Sequence, residues 1–450
     1  MVMQQIYAMQ TESHLETIAM PENLRVGQMI IRQRERCTRI GCHVRYFNFA
    51  LGQSPFPVPP ALSAALTREA GAGHYTDAVG VPELRDAVAE FYKRHFRVHA
   101  EPERVIVGNG TKEIMYILFS VLDVEVVLTS PSWVGYAPIL RLLRKTYTTL
   151  GLDRKDGYRI NPHDLEAVLA ENPDRRHLLV LNNPNNPTGV LYSRRELSKI
   201  ADVCRRYGCF VLADEVYALT TYAAGDVCSM GAVYPEGTFV TGSLSMDRSA
   251  PGYRLGVCVL PEGDQEALMQ HLTRVAATMY TSVATPVQYA AVTAYGGDPA
   301  VEEYIQTTRE IHRIMGGYMS RAFGMIEGVE VTHPQGGFYF LADFSALAGD
   351  LARKGVRYAN DLSRALLDHP HHVATVSGDA IMLPSDVFSA RVAFVDYDGR
   401  RAMEVYRENR PETGLDEVAF VQDAAPRMIE GVEAVRKFVE GVKRKTADFV

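Results

Sequence analysis

Apolar and polar positions along the middle of the chain switch between two periods. From about residue 80 to 295, stretches with a helical repeat alternate with short, wholly apolar runs, and that alternation predicts a mostly parallel sheet covered by helices. The best-defined unit is central. In "SRRELSKIADVCRRYG", Ser193 and Glu196 have capping-box spacing, Leu197, Ile200, Ala201 and Cys204 fall on one face, and Gly208 supplies the stop. "CFVLADE" then reads as a short buried strand, as does "HLLVLN" before the helix. Another helix begins at Pro82, where a missing N–H costs nothing, and carries Leu84, Val88 and Phe91 on one face. Beyond residue 300 a long helical stretch precedes the strand-like "GGFYFLADF", "HHVATV" and "SARVAFVDY", with a final helix near 424 to 442. The expected fold is therefore α/β: a large domain over 61–300 with a mostly parallel sheet flanked by helices, and a smaller α+β domain over 301–450 that the segment 1–60 joins.

The chain has 450 residues, 47% hydrophobic and 22% charged, enough for one large core and a smaller second one. Its net charge of -7 gives no basic field for nucleic acid or membrane surfaces, so a small-molecule ligand is the expected partner. The apolar stretch "YILFSVLDVEVVLTS" is broken by Asp123 and Glu125 and does not read as a membrane span. The first twenty residues lack a basic start followed by an apolar run, and the six cysteines form no CxxC pair. A cytoplasmic protein with reduced thiols is expected. "DHPHH" at 368–372 reads as a turn before a strand rather than as a metal site.

Five short stretches carry candidate chemistry. "VGNGTKE" turns from a strand into a helix at Gly110, Thr111 and Lys112, where free N–H groups and the helix dipole favour a phosphate. "PSWVGY" holds Trp133, the only tryptophan, whose face suits a flat heterocycle. "NNPNNPTG" presents Asn186 from a turn-rich loop at a strand's carboxyl end, the place where open α/β sheets bind ligands. "ADEVY" puts Asp214 at the end of the next strand, with Tyr217 three residues on. Lastly, "TGSLSMDRSAPGYRLG" offers the hydroxyls of Ser243 and Ser245 and the planar fork of Arg254. Taken singly, each has an ordinary reading: a turn, a core aromatic, a helix cap, a solvated loop. Their joint order points to one ligand, a planar, phosphorylated aromatic aldehyde.

Together these stretches resemble the class I/II aminotransferases of the fold-type I pyridoxal-phosphate (PLP) enzymes. The resemblance runs over nearly the whole chain: "FNFALGQSPFPVP", with Gly52, looks like the family's substrate loop, and "HYTDAVGVPELRDAVAEFY" like its tyrosine-glycine segment. It implies a PLP cofactor, an amino-acid substrate and a homodimer with shared sites. Asp214 would face the pyridine nitrogen, Asn186 and Tyr217 the ring hydroxyl, and Trp133 the ring face. Gly110, Thr111, Lys112, Ser243, Ser245 and Arg254 would surround the phosphate, with Tyr75 reaching that of the partner subunit. Arg391, in "SARVAF", would clamp the substrate α-carboxylate, with Gly52 and Asn186 beside it.

The family's Schiff-base lysine falls at Met246, and there the sequence departs. A thioether can neither hold the cofactor covalently nor carry a proton, yet it fills about the volume of a lysine stem. Lys199 lies on the helix after the asparagine loop, no lysine occurs between it and Lys354, and Lys112 belongs to the phosphate end. The favoured reading is a lysine-to-methionine inactivated form of an aminotransferase-like enzyme. The alternatives are a natural PLP-binding pseudoenzyme, or a specialised enzyme of elimination, oxidation or cyclisation in natural-product biosynthesis. The pair Asp247–Arg248 after the expected lysine, and "LGQSPFP" without the acidic residue many aminotransferases carry there, point to specialisation on a polar amino acid. A PLP-type transcription regulator is not expected, since no helix-turn-helix pattern is seen before the substrate loop and the charge balance is acidic.

Overall fold

The computed structural model describes residues 12–41, 44–223, 227–368, 370–408 and 415–444. The helices that matter here are α1 (Glu22–Ile40), α2 (Pro82–Phe96), α3 (Thr111–Val121), α4 (Arg194–Tyr207), α5 (Pro299–Gly324) and α6 (Pro426–Lys443). Seven strands form the main sheet: β1 (Val105–Gly108), β2 (Glu125–Ser130), β3 (Tyr147–Gly151), β4 (His177–Asn182), β5 (Phe210–Asp214), β6 (Thr238–Ser243) and β7 (Gly256–Val259). Their spatial order is β1-β7-β6-β5-β4-β2-β3, and only β7 runs against its neighbours. The middle strands are buried from end to end, which is why they read as continuous apolar runs rather than alternating ones.

The central helix forms as its sequence dictates. In α4 the Ser193 hydroxyl accepts from the Glu196 N–H while a Glu196 carboxylate oxygen accepts from the Ser193 N–H, and Gly208 takes the left-handed conformation at φ 59°. Its apolar residues Leu197, Ile200, Ala201 and Cys204 pack against Leu179, Leu181, Val211 and Ala213 on one face of the sheet.

A second, antiparallel sheet has the order β10-β11-β9-β8, with β8 (Glu330–Val331), β9 (Tyr339–Asp343), β10 (Val376–Ser377) and β11 (Ser389–Ala393). The stretch "HHVATV" is split between β10 and a two-residue strand, Val373–Ala374, that pairs with Phe47–Asn48 near the start of the chain. The N-terminal segment is thus tied to the second sheet's side of the molecule. Residues 370 and 371 form the expected turn before that strand, His369 lies outside the described residues, and among the described residues no side-chain group could hold a metal ion. No helix of the described residues is long and apolar enough to cross a membrane. Cys204, Cys209, Cys228 and Cys258 are free and buried, but Cys37 is disulfide-bonded, a correction to the expectation of uniformly reduced thiols; Cys42 lies outside the described residues.

Candidate active site

Strand register gathers the polar residues. Asn182 on β4 pairs with Asp214 on β5, and Asp214 with Thr241 on β6, so three carboxyl ends deliver the asparagine loop, Asp214 and Ser243 to one edge of the sheet. Side chains there sit where a twisted parallel sheet opens.

Two adjacent carboxyls at this edge have different surroundings. Asp214 is buried; one oxygen accepts from the Tyr136 hydroxyl at 2.5 Å, the other has no close partner among the described residues, and burial pushes its pKa up to about 6 against the pull of the Tyr136 hydroxyl and the Val216 N–H. Glu215 is turned toward Ser229 and Met230, accepting from the Ser229 hydroxyl and the Met230 N–H, both at 2.9 Å, and burial pushes it up to about 8. Tyr136 in turn meets Trp133 edge-on with ring centroids 5.0 Å apart, and Trp133 keeps part of its surface open. Sequence reasoning passed over Tyr136, although it lies three residues after Trp133 in the quoted stretch.

At one end of this cluster, Gly110 stands before α3 with φ 89°, a conformation side chains rarely adopt, and a Cβ there would lie 2.4 Å from Nη2 of Arg254. Gly256 allows the same close approach from β7, since its Cβ would meet the Thr111 nitrogen at 2.5 Å. The first-turn N–H groups of Thr111 and Lys112 have no acceptor within the helix. Arg254 is exposed and, among the described residues, donates to the carbonyls of Pro251 and Asn109, at 2.8 and 3.0 Å. Lys112 places Nζ 5.2 Å from the Trp133 ring centroid, and its pKa is lowered by burial and then by the charge of Arg254. Ser243 is buried and accepts from the Ser245 N–H at 3.2 Å.

At the other end the side chains are bound to one another. Arg391 is 1% exposed, lies 4.6 Å over the Tyr339 ring, and donates to the Ala50 carbonyl and, at 3.4 Å, to Oδ1 of Asn186. Asn186 donates through Nδ2 to the Tyr217 hydroxyl at 3.4 Å, which donates to the Tyr339 hydroxyl at 3.2 Å. Among the described residues no carboxylate pairs with Arg391, its Nε has no partner, and burial lowers its pKa. The charges of Asp214 and Arg391 both act on Tyr217, the first raising and the second lowering the pKa of its hydroxyl, which burial pushes well up. Gly52 is where it is because Tyr339 needs the room: a Cβ at Gly52 would fall 1.7 Å from the Tyr339 hydroxyl oxygen. Tyr339 was also missed from sequence, though it stands inside "GGFYF".

The loop 244–250 follows β6 directly and is pinched shut by Leu244 donating to Leu255 and Ala250 to Leu244. From 237 to 250 Met246 alone is not buried. Asp247 and Arg248 do not join the polar cluster: they form a 2.9 Å ion pair, with Arg248 held between the Phe91 and Tyr295 rings and donating to the Ala294 carbonyl. That gives the pair a packing role and removes it as a sign of an unusual substrate. Tyr75 is 83% exposed and takes no part in these contacts.

Residues 44–394 match the family model of the class I and II aminotransferases. A probable aspartate/prephenate aminotransferase of Aquifex aeolicus is 29% identical over 353 residues, covering 76% of this chain and 85% of that protein. An aspartate aminotransferase of Bacillus subtilis is 28% identical, covering 75% and 84%. Among solved structures, the aspartate aminotransferase of Thermus thermophilus with maleate superposes with a TM-score of 0.78 at 23% identity, over 96% of this chain and all of that one. With a family model spanning most of its length, the chain belongs to the class I and II aminotransferases.

Proposed function

We propose that the cleft holds pyridoxal 5′-phosphate together with an amino acid, and that Met246 leaves it without the amine that catalysis needs. The residues present fit such a group. A buried carboxylate with one unpaired oxygen suits a protonated ring nitrogen, an open tryptophan face suits a flat ring, and a glycine-led helix start beside Arg254 suits a phosphate. One observation carries the reading: Asp214 and Arg391 are buried groups of opposite charge, both acting on Tyr217, and neither has an ion-pair partner among the described residues. Unpaired buried charge is costly, so a ligand bringing a cation to one and a carboxylate to the other relieves both.

Bound there, the cofactor supplies an electron sink for a negative charge developing at the substrate Cα. This chain's residues do the rest. Asp214 holds a proton at the ring nitrogen, Tyr217 and Asn186 contact the ring oxygen, and Trp133 covers one face. Gly110, Thr111, Lys112, Ser243, Ser245 and Arg254 hold the phosphate end, and Arg391 orients the substrate through its α-carboxylate. Residue 246 is the position for a side chain that moves a proton at Cα, and a methionine thioether cannot. Whether the methionine replaced a lysine or is the natural residue, the physical consequence is the same: binding without efficient turnover.

Tyr75 completes the site only across a dimer, its exposure being what a residue destined for a neighbouring subunit requires. The test of the whole reading is a titration of PLP into this chain and its Met246→Lys version, followed by borohydride and mass measurement of the protein. Both are expected to bind PLP, and only the lysine version is expected to retain a reduced adduct at residue 246. Failure of both to bind PLP at micromolar concentration overturns it.

A further inference from the structure

Tyr339 has no role in the reading above beyond its contacts, yet it touches both Tyr217 and Arg391 at the carboxylate end. It sits on β9, whose register against β11 pairs Leu341 with Arg391. Side chains two apart on a strand share a face, so Tyr339 is the diagonal neighbour of Arg391, within reach of a long side chain. Its ring lies 4.6 Å under the guanidinium, and its hydroxyl receives the Tyr217 proton at 3.2 Å. The contacts close into a circuit: Arg391 to Asn186, Asn186 to Tyr217, Tyr217 to Tyr339, and the Tyr339 ring back to Arg391. All four side chains are buried, between 1% and 3% exposed.

The three hydrogen bonds of the circuit are long, at 3.2 to 3.4 Å, and therefore easily exchanged. A carboxylate arriving at Arg391 competes for the Nη1 proton now shared with Asn186. The Asn186 amide then shifts against Tyr217, and the direction of the Tyr217 proton depends on whether Tyr339 continues to accept it. Gly52 supports this arrangement, because any larger residue would drive the Tyr339 hydroxyl out of reach.

We propose that Tyr339 is a positioning residue that carries the Arg391 guanidinium on its ring and holds the Tyr217 hydroxyl through its own, coupling carboxylate binding at Arg391 to the hydrogen bond that Tyr217 offers the cofactor ring. The inference rests on the site taking PLP and a carboxylate ligand. Its two parts separate chemically: Tyr339→Phe keeps the ring and loses the hydroxyl, whereas Tyr339→Leu loses both.

The experiment uses the full chain and maleate as an unreactive dicarboxylate probe. Bound PLP is titrated by absorbance against pH, with and without saturating maleate, and maleate affinity is measured separately by calorimetry without PLP. In the unmodified chain, maleate is expected to move the midpoint of the PLP titration. The Phe variant should bind maleate within about threefold of the original yet lose at least about half of that shift, while the Leu variant should bind maleate about tenfold more weakly, within the range of a desolvated cation–π contact. A full maleate-induced shift in the Phe variant overturns the coupling. Unchanged maleate affinity in the Leu variant overturns the platform. The calorimetric arm reads the platform even on a chain that binds no PLP, so a failure of the cofactor reading shows itself separately.

Discussion

The two ends of the polar cluster are built in opposite ways. The proposed phosphate end consists of backbone N–H groups, a glycine with φ 89° and an exposed arginine whose hydrogen bonds, among the described residues, go to two carbonyls. The proposed carboxylate end is a buried circuit of side chains drawn from residues 186, 217, 339 and 391, separated along the chain by up to 205 positions. A helix start presents its N–H groups whatever follows it, so the first end needs little support. The second must keep a guanidinium dehydrated without a carboxylate, and it does so by distributing the burden over an amide, a carbonyl and an aromatic ring.

The largest effect is expected at neither end but at residue 246. Met246→Lys should raise amino-acid turnover by at least about 10²–10⁴-fold, the contribution of a positioned acid/base, without moving either end. Steady-state rates with a panel of amino acids check this, and equal rates in both forms would place the chemistry on another residue.

Next, Arg391→Ala should weaken maleate binding by about 2–5 kcal/mol and PLP binding far less. Arg254→Ala should do the reverse, weakening PLP by about 1.5–3 kcal/mol, as expected for one charge-assisted contact. Equal losses of both ligands in either variant would mean that the ends are not separate.

Asp214 tests the cost of keeping the cleft open. Its folded-state pKa of about 6 lies above the ordinary value of 3.8, so the folded chain holds the proton more tightly than the unfolded one. That stabilisation is complete below pH 3.8 and is lost as pH rises through 6, leaving an ionised, half-paired carboxylate that costs about 3 kcal/mol at pH 8. Asp214→Asn should therefore stabilise the cofactor-free chain in urea unfolding at pH 8 by up to about this amount, with a smaller gain at pH 5, while weakening PLP. A gain that does not grow with pH would show that the folded-state pKa of Asp214 is not raised.

The smallest effect is expected from Gly110→Ala. Forcing a side chain into φ 89° against Arg254 should cost about 1–2 kcal/mol in stability and weaken PLP, leaving maleate affinity within error.

The same contrast explains what could be read in advance. Gly110, Trp133, Asn186, Asp214 and Arg254 were legible because each belongs to a short stretch whose local chemistry is self-contained: a glycine before a helix, a carboxylate at a strand end. Tyr136 and Tyr339 were not, because nothing in "PSWVGY" or "GGFYF" says which aromatic faces a carboxylate and which a guanidinium. Only strand register and the burial of both partners decide that. Asp247 and Arg248 show the converse. Adjacent to the critical position, they read as site residues, yet the closure of their loop sends them between two aromatic rings.

By itself, the sequence determined the alternation of strands and helices, the central capping box, the order of the cleft motifs and the methionine at 246, since all of these depend on neighbours within a few residues. Tertiary structure alone decided that Glu215 is held by Ser229 and Met230 while one oxygen of Asp214 stays without a partner among the described residues, that Arg391 is buried without a carboxylate paired to it there, and that Gly52 makes room for Tyr339. Those outcomes rest on distances between residues far apart in the chain, which the three-dimensional packing of two sheets sets and local patterning does not contain.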